Sequence, residues 1–354
     1  AMACKRGDER MERVTAKLRA GMTARGVERA AQEKIVAAIG SFALYGFPES
    51  HAISFALIAY ASCWLKAHRP AEFYTGLINC QPMGFYSVNT LLQDARRHGI
   101  RVLPVCCAAG GDRTATLDDH TIRLGWHRIR GLSAATRARM TAEKARAPFE
   151  SVADFLVRAR PTTGERRALA QAGALNALPQ AAHRRQALWE VERPLHADLL
   201  ENAAEADEAA ALAPMTLAER VEADYLTQGA SVGPHPMKLW RAAAPVPDVL
   251  RASDLANLPG GLPLRIAGMA ICRQRPGTAK GHCFISLEDE TGIANLFVPR
   301  DTFQQFRLLV TSERYLLATG RLQRSEGDQP VVYVTALEIL PGAAEVAAAS
   351  RDFH

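Results

Sequence analysis

The last hundred residues constrain the fold most. Five segments there, 264–274, 281–287, 292–298, 314–324 and 331–339, read as strands. A helical stretch, 300–309, separates the third from the fourth. Five strands with a helix between strands three and four is the order of a small β-barrel, the OB fold. Alternation puts Cys283, Ile285 and Leu287 on one face of the second strand, and His282, Phe284 and Ser286 on the other. On the third strand Ala294, Leu296 and Val298 oppose Asn295 and Phe297. If the aliphatic sets fill the barrel, Phe284 and Phe297 point outward as stacking platforms for single-stranded bases. The competing reading packs both rings against another part of the chain. Arg273, Arg275 and Lys280, in the loop 273–280, would supply phosphate contacts beside His282. Strands one and four are apolar on both faces for much of their length, so one wall of the barrel is expected to pack on a neighbour.

Upstream the hydrophobic period changes to that of a helix. Met11, Val14, Leu18 and Met22 form one stripe, and Ala31, Ile35, Ala38, Ile39 and Phe42 another. Gly46-Phe47-Pro48 breaks the pattern. Ser50 can then cap a long helix with Ile53, Leu57, Tyr60 and Trp64 on one face. Ile58 and Leu65 extend its apolar surface, so burial nearly all round is expected. Pro70 is placed to open the next helix.

Residues 121–170 hold eleven Lys or Arg against four Asp or Glu. Within them Ile129-Arg130-Gly131-Leu132-Ser133 is a tight turn before an arginine-rich helix, as in a helix-hairpin-helix module. Gly131 lets the backbone approach a DNA phosphate, and N–H groups at the next helix start donate to it. Ser133 stands where the motif has a second glycine. Arg128, Arg130, Arg137 and Arg139 would neutralise phosphates; the alternative is a solvated basic face. Residues 198–224 reverse the sign, with eight acidic residues and one basic. That stretch reads as a solvated interdomain tether.

Composition removes several classes. The net charge of +6 suits an acidic partner without demanding one. The seven cysteines include no CxxC, which indicates neither a zinc ribbon nor a disulfide framework, and suggests reduced thiols in a cytoplasmic protein. The longest apolar run, 53–65, contains Ser54 and Ser62 and is too short for a membrane span. No P-loop, GxSxG or paired catalytic carboxylate is present, and nothing would hold the two magnesium ions of phosphoryl transfer. Asp118-Asp119 and Glu288-Asp289-Glu290 read as loop residues beside turns.

The segment Tyr45-Gly-Phe-Pro-Glu-Ser-His51, continuing to Trp64-Leu-Lys-Ala-His-Arg-Pro-Ala-Glu-Phe73, resembles the fingers of bacterial C-family DNA polymerases, the DNA polymerase III alpha type. Gln81-Pro-Met-Gly-Phe-Tyr-Ser87 and Asp94-Ala-Arg-Arg-His-Gly99 are similar to the error-prone, ImuC-type branch. So are Arg273-Gln-Arg-Pro-Gly-Thr-Ala-Lys-Gly281, Glu288-Asp-Glu-Thr-Gly292 and the ending Ser350-Arg-Asp-Phe-His354. The resemblance implies a multidomain layout: the C-terminal part of the fingers over 1–110, tandem helix-hairpin-helix elements over 111–193, an acidic linker over 194–250, an OB domain over 251–345 and a tail over 346–354. It places the palm upstream, with the carboxylates that bind Mg, so this chain would carry no cofactor and be inactive alone. Tyr45, Ser50 and His51 match the fingers signature that lines the nucleotide and template pocket. The implied partners are primer–template duplex, single-stranded template and an ImuB-like mutasome protein. The sliding clamp is reached only indirectly, because no clamp-binding peptide lies between Leu195 and Arg251. Two other readings stand beside this one. The chain could belong to a replicative alpha subunit. It could also be an RNA- or protein-binding OB scaffold, since Asp289-Glu-Thr-Gly292 also resembles tRNA synthetase anticodon barrels.

Overall fold

The computed structural model describes residues 8–45, 49–84, 86–193, 212–243, 246–324, 329–342 and 351–353; the side chains of 8–11, 40–45, 49–51 and 351–353 lie outside that description. The chain divides into two units, residues 1–68 and 69–354.

The first unit is helical: α1 (Asp8–Ala24), α2 (Arg29–Tyr45) and α3 (Glu49–His68). Gly26, at φ +71°, turns the chain between α1 and α2, and Gln32 donates to the Val27 carbonyl at 2.8 Å to close that turn. The expected burial of α3 is not observed. Ile53, Phe55, Leu57, Ile58, Tyr60, Trp64 and Leu65 are all exposed, Tyr60 by 73%. The apolar period of a helix shows which face can pack, not whether another surface meets it, because the partner is set by tertiary structure.

The second unit begins with α4 (Pro70–Asn79), which has proline in its first turn, and α5 (Val88–Arg97), capped by Ser87. Strands β1 (Arg101–Leu103), β2 (Ala115–Asp118) and β3 (Thr121–Arg123) form a small sheet in the order β1-β3-β2. Four helices follow: α6 (Ala134–Arg146), α7 (Val152–Ala159), α8 (Thr163–Gln171) and α9 (Arg184–Glu192). One hydrophobic core joins α4 to α9, with Tyr74, Trp126, Met140, Phe155 and Leu175 fully buried.

Residues 217–243 are not a solvated tether. They form α10 (Leu217–Gln228) and α11 (Pro236–Ala243). The physical reason is local: Thr216 and Glu219 make a capping box, and Val221 and Tyr225 fall on one face one turn apart and are buried. Residues 194–211 and 244–245 of the expected linker lie outside the described residues.

The barrel comprises β4 (Val249–Leu250), β5 (Pro263–Gln274), β6 (Cys283–Glu288), β7 (Ile293–Val298), β8 (Tyr315–Gln323) and β9 (Val331–Ile339). The expected single helix between strands is two, α12 (Arg300–Gln305) and α13 (Arg307–Ser312), broken at Phe306. Strand pairing runs β5-β6-β7-β9-β8 and returns from β8 to β5, which closes the barrel; β7 with β9 and the short β4 with β5 are parallel, and the other barrel pairs antiparallel. A last strand, β10 (Arg351–Phe353), adds parallel to the far end of β5. Ile285, Leu287, Ala294, Leu296 and Val298 are inside the barrel, as alternation predicts. Strands β5 and β8 are buried on their outer face as well, where Met269, Tyr315 and Leu317 pack on Met237 and Trp240 of α11.

Candidate nucleic-acid interface

Strand register assembles a row of outward side chains across the barrel. Gln274 pairs with Phe284, Phe284 with Phe297, Phe297 with Tyr333, and Tyr333 with Arg321. The centroids of Phe284 and Phe297 are 5.5 Å apart at 65°, and those of Phe297 and Tyr333 are 5.5 Å apart at 34°. His282 lies 5.0 Å from Phe297 and holds the start of α12, with its Nδ1 facing the Arg300 N–H at 3.0 Å. Phe284 is 41% exposed, while Phe297 and Tyr333 are half-buried by their ring neighbours. Rings 4.5–7 Å apart in tilted arrangements support one another and still present faces to solvent. Sequence reasoning missed Tyr333. Its signal was the alternation of the fifth strand, where Val332 and Val334 are buried on the opposite face.

The basic residues near this row divide. Arg275 and Lys280 are exposed, and Arg275 also stacks over the Phe303 ring at 4.4 Å. Arg273 is not a loop residue. It lies within β5, is buried, and donates to the Glu313 carbonyl. The bulge in β5 between Ala270 and Cys272 moves it to the protein side. The acidic group at the end of β6, read from the sequence as loop residues, is structural too, and Glu288 is the last residue of the strand. Asp289 is buried and accepts from the Thr291 and Gly292 N–H groups at 2.7 and 3.0 Å, which builds the β6–β7 turn. Glu288 is fully buried, 3.5 Å from Arg97.

The hairpin turn is formed as the sequence suggests, with Gly131 exposed at φ +79°. Ser133 caps α6, its Oγ accepting from the Thr136 N–H at 3.2 Å. The Ser133 N–H, one of the groups expected to meet a phosphate, donates instead to Glu165 at 2.9 Å. Glu165 also accepts from the Thr162 N–H and the Thr136 hydroxyl, at 2.8 and 3.0 Å. Burial works against the charge of this carboxylate, but these donors overcome it and hold the pKa down at about 2.

The four flanking arginines bind protein. Arg128 and Arg130 donate to the Gln228 and Leu226 carbonyls at 3.3 and 3.2 Å, satisfying the open end of α10. Arg137 pairs with Asp112 at 2.5 Å. Arg139 donates to the Ala159 and Arg160 carbonyls at 2.9 and 3.1 Å, at the end of α7. Charge counting could not separate phosphate ligands from helix caps. The side chains of Tyr45, Ser50 and His51 lie outside the described residues.

Among the described residues no group of three His, Cys, Asp or Glu side chains could hold a metal ion, and no helix is long and apolar enough to cross a membrane.

Comparison with known proteins bears on this architecture. Residues 99–187 match the helix-hairpin-helix motif, and residues 265–340 match the OB-fold nucleic acid binding domain. The whole chain is 42% identical over 367 residues to an error-prone DNA polymerase of Anaeromyxobacter dehalogenans, strain 2CP-1, covering 32% of that protein. It is 44% identical over 368 residues to an error-prone DNA polymerase of Azoarcus sp. strain BH72, covering 34%. This chain belongs to the error-prone DNA polymerase family. It corresponds to a C-terminal region of such a polymerase and spans about a third of the length of the curated relatives it matches. Among solved structures, an asparaginyl-tRNA synthetase of Pyrococcus horikoshii overlaps 30% of this chain and 24% of its own, with 20% identity and a TM-score of 0.24.

Proposed function

We propose that this region binds DNA and partner proteins for a translesion polymerase, and that its barrel holds the single-stranded template. The observation that carries the reading is the register-aligned row Phe284, Phe297 and Tyr333, flanked by Arg321 at one end and near Arg275 and Lys280 at the other. Three neighbouring rings suit successive unstacked bases, and the arginine and lysine side chains suit the backbone between them. Such a surface is sequence-tolerant, because every base has a π-face. A polymerase that copies damaged templates needs that tolerance.

The hairpin module would contact duplex through Gly131 and the first turn of α6 rather than through Arg137 and Arg139, which are occupied. An ImuB-like protein is the proposed route to the sliding clamp. Catalysis belongs to the rest of the polymerase. Anisotropy titrations of labelled single-stranded and duplex oligonucleotides across a salt series test the reading. Binding should weaken steeply with salt for both. Single-strand affinity should fall when the aromatic row is truncated, while duplex affinity holds. A preference for tRNA over both DNA forms would reject the template assignment.

A further inference from the structure

The barrel does not close along the whole of β5. Its pairing with β8 ends at Met269 with Tyr315, while β6 on the other side runs on to Gln274. The edge of β5 that β8 has left is filled by β10. There Arg351 pairs with Cys272, Asp352 with Arg273 and Phe353 with Gln274. The order of the sheet becomes β10-β5-β6-β7-β9-β8. An open edge is a template for any extended segment, so a strand of any composition could cover it.

Register gives this strand a second consequence. Directly paired residues stand on the same face of a sheet, and successive residues alternate between faces. Phe353 pairs with Gln274, and Gln274 with Phe284, so Phe353 takes the next register position of the aromatic row. Gln274 and Phe284 are both exposed, which leaves the face open as far as β10. Arg351, two residues earlier, falls on the same face, at the register position of Cys272, Ser286 and Asn295. Asp352, the one residue of the three that would repel a phosphate, falls on the opposite face. An aromatic and an arginine on one side, with the acid kept off it, is the residue chemistry of a single-strand surface.

We propose that β10 is the outermost strand of the single-strand binding face, with Phe353 stacking on one further base and Arg351 meeting a backbone phosphate beside it. The inference rests on the template reading of the aromatic row. It extends that face from Arg321 on β8 to Phe353 on β10 and makes residues 351–353 part of the site rather than an edge cover.

The test is anisotropy titration of the full 354-residue chain against a fluorescein-labelled oligothymidylate of about 16 nucleotides, the upper end of the span of one such barrel. Phe353→Ala should weaken binding by about five- to hundredfold, the loss of one stacked base. Phe353→Tyr should keep the affinity. Phe353→Leu, which keeps the apolar bulk and removes the π-face, should weaken binding as Phe353→Ala does. Arg351→Gln should reduce the slope of log affinity against log salt by about 0.7, the share of one phosphate on a single strand, and Arg351→Lys should restore it. Wild-type affinity in Phe353→Ala overturns the proposal and leaves β10 as an edge cover. Wild-type affinity in Phe353→Leu alone overturns it too, because the residue then acts by packing. Phe284→Ala, measured beside these, separates the two failures. If Phe284→Ala weakens binding and Phe353→Ala does not, the template reading stands and the role of β10 is lost. If neither weakens it, both are lost. Thermal melting checks that each variant is folded.

Discussion

Glu165 is the side chain on which the hairpin module turns. It takes N–H groups from the starts of two helices, at Ser133 and Thr162, and is 4% exposed. Its folded pKa of about 2 lies below the unfolded value, so its contribution is complete above roughly pH 5 and is lost as pH falls through 2. The shift corresponds to about 3 kcal/mol. Urea unfolding at a series of pH values should show the stability difference between wild type and Glu165→Gln shrinking by about that amount from pH 5 to below pH 2. A constant difference would mean that the carboxylate is not ionised in the fold. The aromatic row gives a second prediction at this scale. Phe284→Ala, Phe297→Ala and Tyr333→Ala should each reduce single-strand affinity by about 1–3 kcal/mol. Phe284→Ala should cost the least stability, since its ring is the most exposed of the three. Wild-type affinity in all three variants, measured by anisotropy, would reject stacking.

At the scale of elements, α10 is fastened to the hairpin module by a buried ion pair. Arg184 meets Asp224 at 2.5 Å, and the Ser231 hydroxyl donates to the other carboxylate oxygen at 2.5 Å. Burial lifts the Asp224 carboxyl above its ordinary range, while Arg184 pulls it the other way. Arg184→Met strands that carboxylate and should cost about 3–5 kcal/mol in denaturant unfolding. Arg184→Met with Asp224→Leu should recover much of the loss, because the pair's attraction is largely offset by its desolvation. A double variant as unstable as the single one would show that the pair does more than neutralise itself. The α11 helix is fastened differently, by Met237 and Trp240 against the outer wall of β5 and β8. Together the two helices tie the barrel to the module along the stretch whose composition suggested a tether.

For the molecule as a whole, the prediction is functional separation. The purified chain should bind DNA in a salt-dependent way and incorporate no nucleotide, because phosphoryl transfer needs metal-holding carboxylates. Primer extension with magnesium and all four nucleotides checks this. Incorporation that survives removal of contaminating polymerases would contradict it. The same chain should compete with a labelled single strand for the template when added to a full-length relative.

The strand order of the barrel, the inward set Ile285, Leu287, Ala294, Leu296 and Val298, and the turn at Gly131 were all legible in the sequence, because period and turn chemistry are local properties of a chain. The double-sided burial of β5 and β8 was legible for the same reason, though not the identity of the neighbour. What only tertiary structure decided was the fate of polar and charged groups. Nothing local distinguishes an arginine that caps α10 from one that meets a phosphate, or shows that Asp224 finds Arg184 forty residues away. Nor does local sequence show that Tyr333 joins Phe297 through a parallel pairing of β7 with β9. A charge is indifferent to sequence distance and is governed by what surrounds it. Surroundings exist only once the chain has folded.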